Sequence, residues 1–428
     1  LSDILLALYV NYRFHTFDLL SNHQSIIEEV SIVRSLLLFF SFLAPLLLTS
    51  AFTNFCSAEE KQKQLDPALT APPVNTQPGK DYADNTRLFQ GIPGMERAAN
   101  GRLWALWYAG GTGEGELNYV TLVTSQDDGN SWSGPKLVID PPGPVRAYDP
   151  AIWHDPSGRL WVFWAQSYRW WDGRSEVWAI TTRESDQENP KWSKPRRICN
   201  GIMMNKPTVL SNGDWLLPVA IWKQNAKDSI EYRFKLPEER GGNIFISKDN
   251  GNSFQLLGQT NVPHRTFDEH MVVERKDNSL WTLVRTSYGI GESISTDGGK
   301  TWTVGNASSI PHINARFFIR RLKSGNLVLV RHNPQNKKTR RDLTAYLSTD
   351  DGKTWQGGLL LDERPGVSYP DGIQSDDGTI YIIYDYSRTG EKKILMTTFK
   401  EEDILAGKPV SGKVRQRVLI NQATGQKK

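Results

Sequence analysis

Cysteine and methionine are scarce in this chain of 428 residues, which holds two Cys and five Met. One cysteine, Cys56, follows an apolar N-terminal run, and the other is Cys199. A chain cut beyond Cys56 keeps one thiol and forms no internal disulfide, so its stability must come from the size of its core. Cys199 reads as a residue of that core. An excess of charge is also lacking: a formal net charge of +4 over this length is too weak for a nucleic-acid partner. There is no Gly-rich phosphate loop and no nucleophilic serine elbow. The seven His fall at no metal-ligand spacing, so neither a metal nor another cofactor is expected.

Long hydrophobic runs are confined to one place. Residues 1–29 carry no clear pattern and are set aside as upstream sequence. Arg34 then precedes an apolar run from Leu36 to Phe52, followed by Cys56-Ser57-Ala58 and the charged Glu59-Glu60-Lys61. A basic, an apolar and a small-residue segment in that order describe a secretory signal cut after Ala58. The run is close to the lower length limit of a membrane span, and Pro45 within it favours the signal. The expectation is a secreted or periplasmic protein with no stable membrane insertion after cleavage. Residues 59–80, rich in Gln, Lys, Pro and Thr, read as a flexible linker, and 81–428 as one domain.

Aromatic residues are what the chain has in quantity, 11% of it with 15 Trp, and two repeats organise them. The first is Ser-x-Asp-x-Gly-x-Thr/Ser-aromatic, found at Ser125–Trp132, Ser247–Phe254, Ser295–Trp302 and Ser348–Trp355. Each copy follows a strand-like stretch and reads as a hairpin loop. The Asp accepts from turn amides, the Gly supplies a positive φ, and the aromatic folds back beneath the turn. The second repeat is a Gly- or Asn-containing turn followed by an apolar, aromatic strand. It begins at Gly101, Gly158, Gly213, Asn278, Gly325 and Gly378. Six copies at intervals of 47 to 65 residues read as the blades of an all-β six-bladed propeller. A strand at Val414–Ile420 is expected to pair near Asn85–Phe89 and close the ring.

The first repeat resembles the Asp-box, or BNR repeat, of sialidase-like (neuraminidase) propellers. The resemblance sharpens at three segments. Phe267-Asp-Glu-His leads into a strand ending at Arg285, so a carboxylate and an arginine bracket one hairpin. His332-Asn-Pro334 leads to Arg340, and Val367-Ser-Tyr369-Pro-Asp371 opens the last blade. Carried over residue by residue, the resemblance implies a glycosidase with Tyr369 as nucleophile and Glu269 as its base. Arg285 and Arg340 would hold a substrate carboxylate. A neutral Tyr suits a sugar whose anomeric carbon bears a carboxylate, because a carboxylate nucleophile would be repelled. Guanidinium groups grip a carboxylate through paired, charge-assisted hydrogen bonds.

Two positions depart from the family pattern. Where it has an Arg before Ile-Pro, this chain has Gly91-Ile92-Pro93, and Arg97 or Arg87 stands as the spatial substitute. Where it has an acidic Asp after the first strand, this chain has Gly110-Gly-Thr-Gly-Glu114-Gly-Glu116, so Glu114 is the candidate acid and Glu116 its reserve. Tyr148, Asp149 and Trp171 are further candidates for binding the glycan or polysaccharide substrate. The Trp170-Trp171 pair reads more readily as packing beneath a loop than as a platform for a sugar ring. Three enzyme or binding classes remain open at this point: a sialidase-like exo-glycosidase, a lyase or other exo-glycosidase on uronic-acid or rhamnose polymers, and a non-catalytic glycan binder. His264, His270 and His312 are the residues a lyase could draw on.

Overall fold

The computed structural model describes residues 67–171, 175–222, 241–333 and 339–426. The expected signal, residues 1–58, and the start of the linker lie outside the described residues. Among the described residues no helix is long and apolar enough to cross a membrane.

Six separate antiparallel sheets follow one another along the chain, each built from four consecutive strands, with one extra strand on the first. They are the blades of an all-β six-bladed propeller. The first strand of each sheet lines the ring axis: Gln90–Arg97, Val145–His154, Thr208–Val209, Arg265–Glu274, Phe318–Arg321 and Val367–Gln374. The turn-plus-apolar repeat is the second strand of every blade, as in Leu103–Ala109, Leu160–Tyr168 and Ile380–Tyr386. These strands are buried along all or nearly all of their length, because each blade is covered on both faces by its neighbours. Burial on both faces explains why they read as continuous apolar runs rather than alternating ones. The fourth strands Arg196–Asn200 and Gln255–Thr260 are more exposed and correspondingly polar, whereas that of blade 1, Leu137–Ile139, is buried and apolar.

Hydrophobic clusters fill the spaces between blades. Trp104, Leu106, Ile152 and Trp164 join blades 1 and 2, and Trp153, Phe163, Trp215 and Leu217 join blades 2 and 3. Ile244, Ile246 and Val272 join blades 3 and 4, and Trp281, Leu283 and Phe317 join blades 4 and 5. Val328, Val330, Val367 and Ile382 join blades 5 and 6, while Met95, Trp107, Tyr381 and Met396 join blade 6 to blade 1. The ring is closed by this last interface.

Closure does not use the expected strand exchange. Arg415–Gln422 pairs with Lys393–Phe399 of its own blade, and no strand forms over residues 85–89. The two chain ends meet through polar contacts instead: Thr424 N donates to Asp84 O at 2.8 Å, and Arg87 Nη2 to Asn421 Oδ1 at 2.7 Å. Every blade already has its four strands, so none was left over to lend. The linker expectation is also corrected where residues are described. Val74–Asn75 pairs with the fourth strand of blade 1, and Ala68 is buried beside Val145 and Tyr168. Gln166 Nε2 donates to the carbonyls of Pro67, Ala68 and Thr70. Pro and Gln in this stretch signal a chain without helix or long strand, and that is equally the composition of a strap laid on a sheet edge.

Register fixes which rim carries the site. Glycine-containing turns at Gly101, Gly158 and their equivalents join first to second strands at one end, where the Ser-x-Asp-x-Gly loops join third to fourth. The start of each first strand, the end of each second strand and the loop after it therefore share the opposite rim. In each of the four loops the Ser hydroxyl donates to the Asp carboxylate, the Gly amide donates to that Ser, and the Thr or Ser hydroxyl donates to the Asp. In one loop these contacts are 2.8, 2.8 and 2.6 Å, at Ser295, Gly299 and Thr301. The aromatic of each loop packs on the cluster shared with the preceding blade, as Phe254 does beside Trp161.

Candidate active site

On four of the six inner strands, the register shifts close to the site rim. The shifts fall at Gly91/Gly94, Tyr148/Ala151, between Asp268 and Met271, and Ser368/Asp371. Each bulge holds non-glycine backbone at positive φ: Ile92 at 56°, Asp149 at 46°, Asp268 at 60° with Glu269 at 44°, and Tyr369 at 52°. A bulge turns one side chain out of the alternation of its strand. Here the turned residues converge at the mouth of the ring.

Tyr369 Oη lies 3.3 Å from Glu269 Oε1, and Arg285 Nη1 donates to that same oxygen at 2.6 Å and to Tyr369 Oη at 3.4 Å. Asn314 fixes the arginine by accepting from Arg285 Nε at 2.7 Å. Asn205 fixes the glutamate backbone, its Nδ2 donating to the carbonyls of Glu269 and His270. Glu269 Oε2 is buried and has no partner among the described residues, which leaves an acceptor open beside the phenol. Burial raises the Tyr369 phenol above its ordinary value and the Glu269 charge adds to this, while Arg285, Arg340 and Arg388 pull the other way. The phenol is therefore neutral at rest and loses its proton only to a base in contact with it.

Arg340 Nη1 donates to Ser368 Oγ at 2.7 Å, and its guanidinium stands 5.2 Å from the centre of the Tyr369 ring. Arg388 stands 5.1 Å from the same ring. Both arginines line a cleft of about 470 Å³ together with Glu114, Trp170, Phe89 and Ser368. Glu114 accepts from Arg388 Nη1 at 2.7 Å and from Trp170 Nε1 at 3.2 Å. Burial alone would raise its carboxyl, but Arg388 and Arg146 hold it below the ordinary range. Asp149 behaves in the opposite way. Burial pushes it up to about 8 and the Glu114 charge adds to this, with Arg146 and Arg316 only partly offsetting them. One acidic and one proton-holding carboxyl thus stand close enough for each to act on the other, Glu114 on the cleft and Asp149 buried behind it. Arrangements of this kind support proton transfer at a reacting bond.

A family model for the BNR repeat-like domain matches residues 101–382. The chain belongs to the BNR repeat-like family. A sialidase of Bacteroides fragilis (strain YCH46) is 25% identical over 347 residues, 71% of this chain and 61% of that protein. The chain therefore spans less than two thirds of that relative. The solved Hadza microbial sialidase Hz136 superimposes with a TM-score of 0.59 at 20% identity, covering 76% of this chain and 68% of that one. An intramolecular trans-sialidase from Ruminococcus gnavus, solved with oseltamivir carboxylate, gives 0.58 at 14% identity, covering 78% and 98%. At these identities the structures establish the sialidase-type six-bladed propeller.

In this BNR repeat-like protein, Tyr369, Glu269, Arg285, Arg340, Glu114 and Asp149 lie at one rim, and the five other candidates are engaged elsewhere. Arg97 ends the first strand of blade 1, six residues beyond Gly91 and so roughly 20 Å towards the other rim. Its head lies beside Gly101 in the turn there. Arg87 is spent on Tyr82, Asp84 and Asn421 where the chain ends meet. Tyr148 is fully buried, its hydroxyl held by Ser175 and Ser167, because the bulge turns its neighbour Asp149 to the site instead. Trp171 is buried against Trp222 beneath the loop, and Trp170 is the one that borders the cleft. The reserve acid Glu116 pairs with Arg169, both side chains largely exposed.

The histidines are occupied elsewhere. His270 is buried, bonds Asn243 O at 2.8 Å, and is pulled down to about 4 by burial, so it is neutral. His312 is buried and bonds Ala315 O, and His264 packs against Tyr288. Arg388 lines the cleft but was not singled out in the sequence. Its signal was positional: it sits in the loop after the second strand of blade 6, and the equivalent loops of blades 1, 2 and 5 hold Glu114, Trp170 and Arg340.

Proposed function

We infer that this protein is an exo-glycosidase that releases terminal acidic sugars of the sialic acid type from glycans, using Tyr369 as the nucleophile. The contact of Tyr369 Oη with Glu269 Oε1 at 3.3 Å, both bridged by Arg285 Nη1, carries this reading. In the first step Tyr369 Oη attacks the anomeric carbon as its proton passes to Glu269. A neutral phenol meets no repulsion from a carboxylate on that carbon. Arg285 and Arg340 receive the substrate carboxylate with their forked donors. Glu114, across the cleft, is ionised at rest by its pairing with Arg388; when the substrate carboxylate takes that arginine, Glu114 gains a proton, gives it to the leaving oxygen and then takes one from the water that releases the sugar. Asp149, protonated at neutral pH, can donate to a sugar hydroxyl. Export, expected from the N-terminal segment, would bring such an enzyme to glycans outside the cell.

The test is hydrolysis of a fluorogenic aryl α-sialoside by the parent protein and by Tyr369→Phe. The parent should turn over, and the variant should lose on the order of a thousandfold or more in kcat. A phenylalanine variant as active as the parent would remove the nucleophile from the reading. A parent with neither turnover nor carboxylate-dependent binding of the sialoside would remove the substrate class.

A further inference from the structure

Gly91 and Arg388 occupy one volume. Gly91 needs no positive φ, so its backbone would accept a side chain. A Cβ placed there would lie 2.3 Å from Arg388 Cδ, 2.7 Å from Arg388 Cγ and 2.9 Å from Asp385 Oδ2. The stem of Arg388 therefore fills the space into which a residue-91 side chain would project. Asp385 anchors this corner by accepting from Ile92 N at 2.8 Å, and its charge, with that of Glu114, outweighs burial and keeps Arg388 firmly protonated. The guanidinium head reaches the same cleft as Arg340, and the two stand at nearly equal distances from the Tyr369 ring, 5.1 and 5.2 Å. Of its five donors, only Nη1 is engaged by a side chain among the described residues, that of Glu114.

We propose that Arg388 is the third arm of the carboxylate grip, reaching in from blade 6 to the place that a side chain at residue 91 would otherwise supply from blade 1. Gly91 is its necessary companion. The proposal rests on the reading of the cleft as a site for an acidic sugar. Because Glu114 and an incoming carboxylate would compete for the same Nη1, occupancy of the grip also frees Glu114 to face the leaving oxygen.

The experiment compares an aryl α-sialoside with its carboxylate methyl ester, using the full chain and three variants. The parent should prefer the free acid. Arg388→Ala should raise KM for the acid by about 10- to 100-fold, as expected for a lost charge-assisted pair, and should shrink the preference for acid over ester. Gly91→Arg alone should lose activity by collision with the Arg388 stem. Gly91→Arg combined with Arg388→Ala should recover at least tenfold over Arg388→Ala, because the arm is restored from the other strand. Arg388→Lys, which keeps charge and bulk but not the fork, should fall between parent and alanine. If the parent turns over while Arg388→Ala keeps KM and acid preference within about threefold, Arg388 is no part of the grip and the glycosidase reading survives. Failure of the double variant to recover likewise overturns the exchange. A parent that neither binds nor cleaves the sialoside overturns both readings together.

Discussion

Asp149 shows how one backbone irregularity sets both the position and the charge of a side chain. Its φ of 46° costs an L-residue roughly 1–2 kcal/mol, yet it turns the carboxyl out of the blade wall and towards Glu114 and Glu269. Strain held at a site in this way must be stabilised by the surrounding fold. The buried carboxyl carries a second cost. Its value is raised to about 8 in the fold against about 3.9 in the unfolded chain, so the folded state holds a proton that the unfolded state has lost. Stability contributed by this group therefore falls as pH rises from about 4 to about 8, and is level above that. Asparagine has the same shape and tolerates positive φ, so Asp149→Asn removes the titration without disturbing the bulge. Thermal melts should show the variant gaining on the parent, with a gap wider at pH 8 than at pH 5. A gap that stays constant across that range would mean Asp149 ionises normally.

At the scale of the element, the Ser-x-Asp-x-Gly loops work because their glycine lets the turn backbone lie against aromatic rings at a blade interface. Gly251 has φ of 80°, and a Cβ on it would lie 2.5 Å from the Trp215 ring of its own blade and 2.8 Å from the Trp161 ring of the preceding blade. Gly158, in a first-to-second-strand turn, has a similar φ of 78° with nothing nearby. Alanine at Gly158 should cost only the backbone term, about 1–2 kcal/mol. Alanine at Gly251 should cost a further 1–3 kcal/mol, about, from overpacking. Urea denaturation of the two variants measures the difference, and equal losses would show that the loop does not press on its neighbours. These loops, and the second strands, were legible in the sequence because their signals are local: an Asp and a Gly at fixed offsets, or a continuous apolar run. Glu269 and Arg285 were legible for a related reason, since they bracket a single hairpin. Tyr148 and Asp149 were not told apart, because a bulge decides which of two neighbours faces the site and a bulge shifts every side chain by one place. Ile92, Asp149 and Tyr369 each precede a proline, and that repeated dipeptide is the signal that marks three of the four bulges. Arg388 was beyond local reading, because it meets Gly91 only where the last blade closes on the first.

At the scale of the molecule, closure without strand exchange places unusual weight on polar groups along the ring axis. Lys206, entering blade 3, donates through Nζ to Met95 O and Glu96 Oε1 of blade 1 and to Ile152 O of blade 2, at 2.6, 2.7 and 2.8 Å. It also pairs with Asp371 of blade 6 at 3.3 Å. Asp371 in turn accepts from Met95 N and pairs with Arg316 of blade 5, while the neighbouring Asn205 holds the Glu269 backbone of blade 4. One short cluster thus touches all six blades directly beneath the site residues, and it ties the bulge positions to one another. Glu96 reports on it. Burial would raise this carboxyl, but Lys206 and His154 bring it down to about 2. A depressed carboxyl adds stability above its unfolded value near 4.5, and that stability is lost as pH falls from there towards 2. Lys206→Met keeps the length of the side chain and removes its charge, leaving Glu96 and Asp371 buried with a missing partner. Removing one member of a buried pair costs about 3–5 kcal/mol. Urea denaturation should show that loss in full near pH 7 and a progressively smaller one as pH falls from about 4.5 to 2, where Glu96 no longer needs the cation. A loss that is small at pH 7, or that does not shrink in acid, would show that the apolar clusters between blades close the ring without help from its axis.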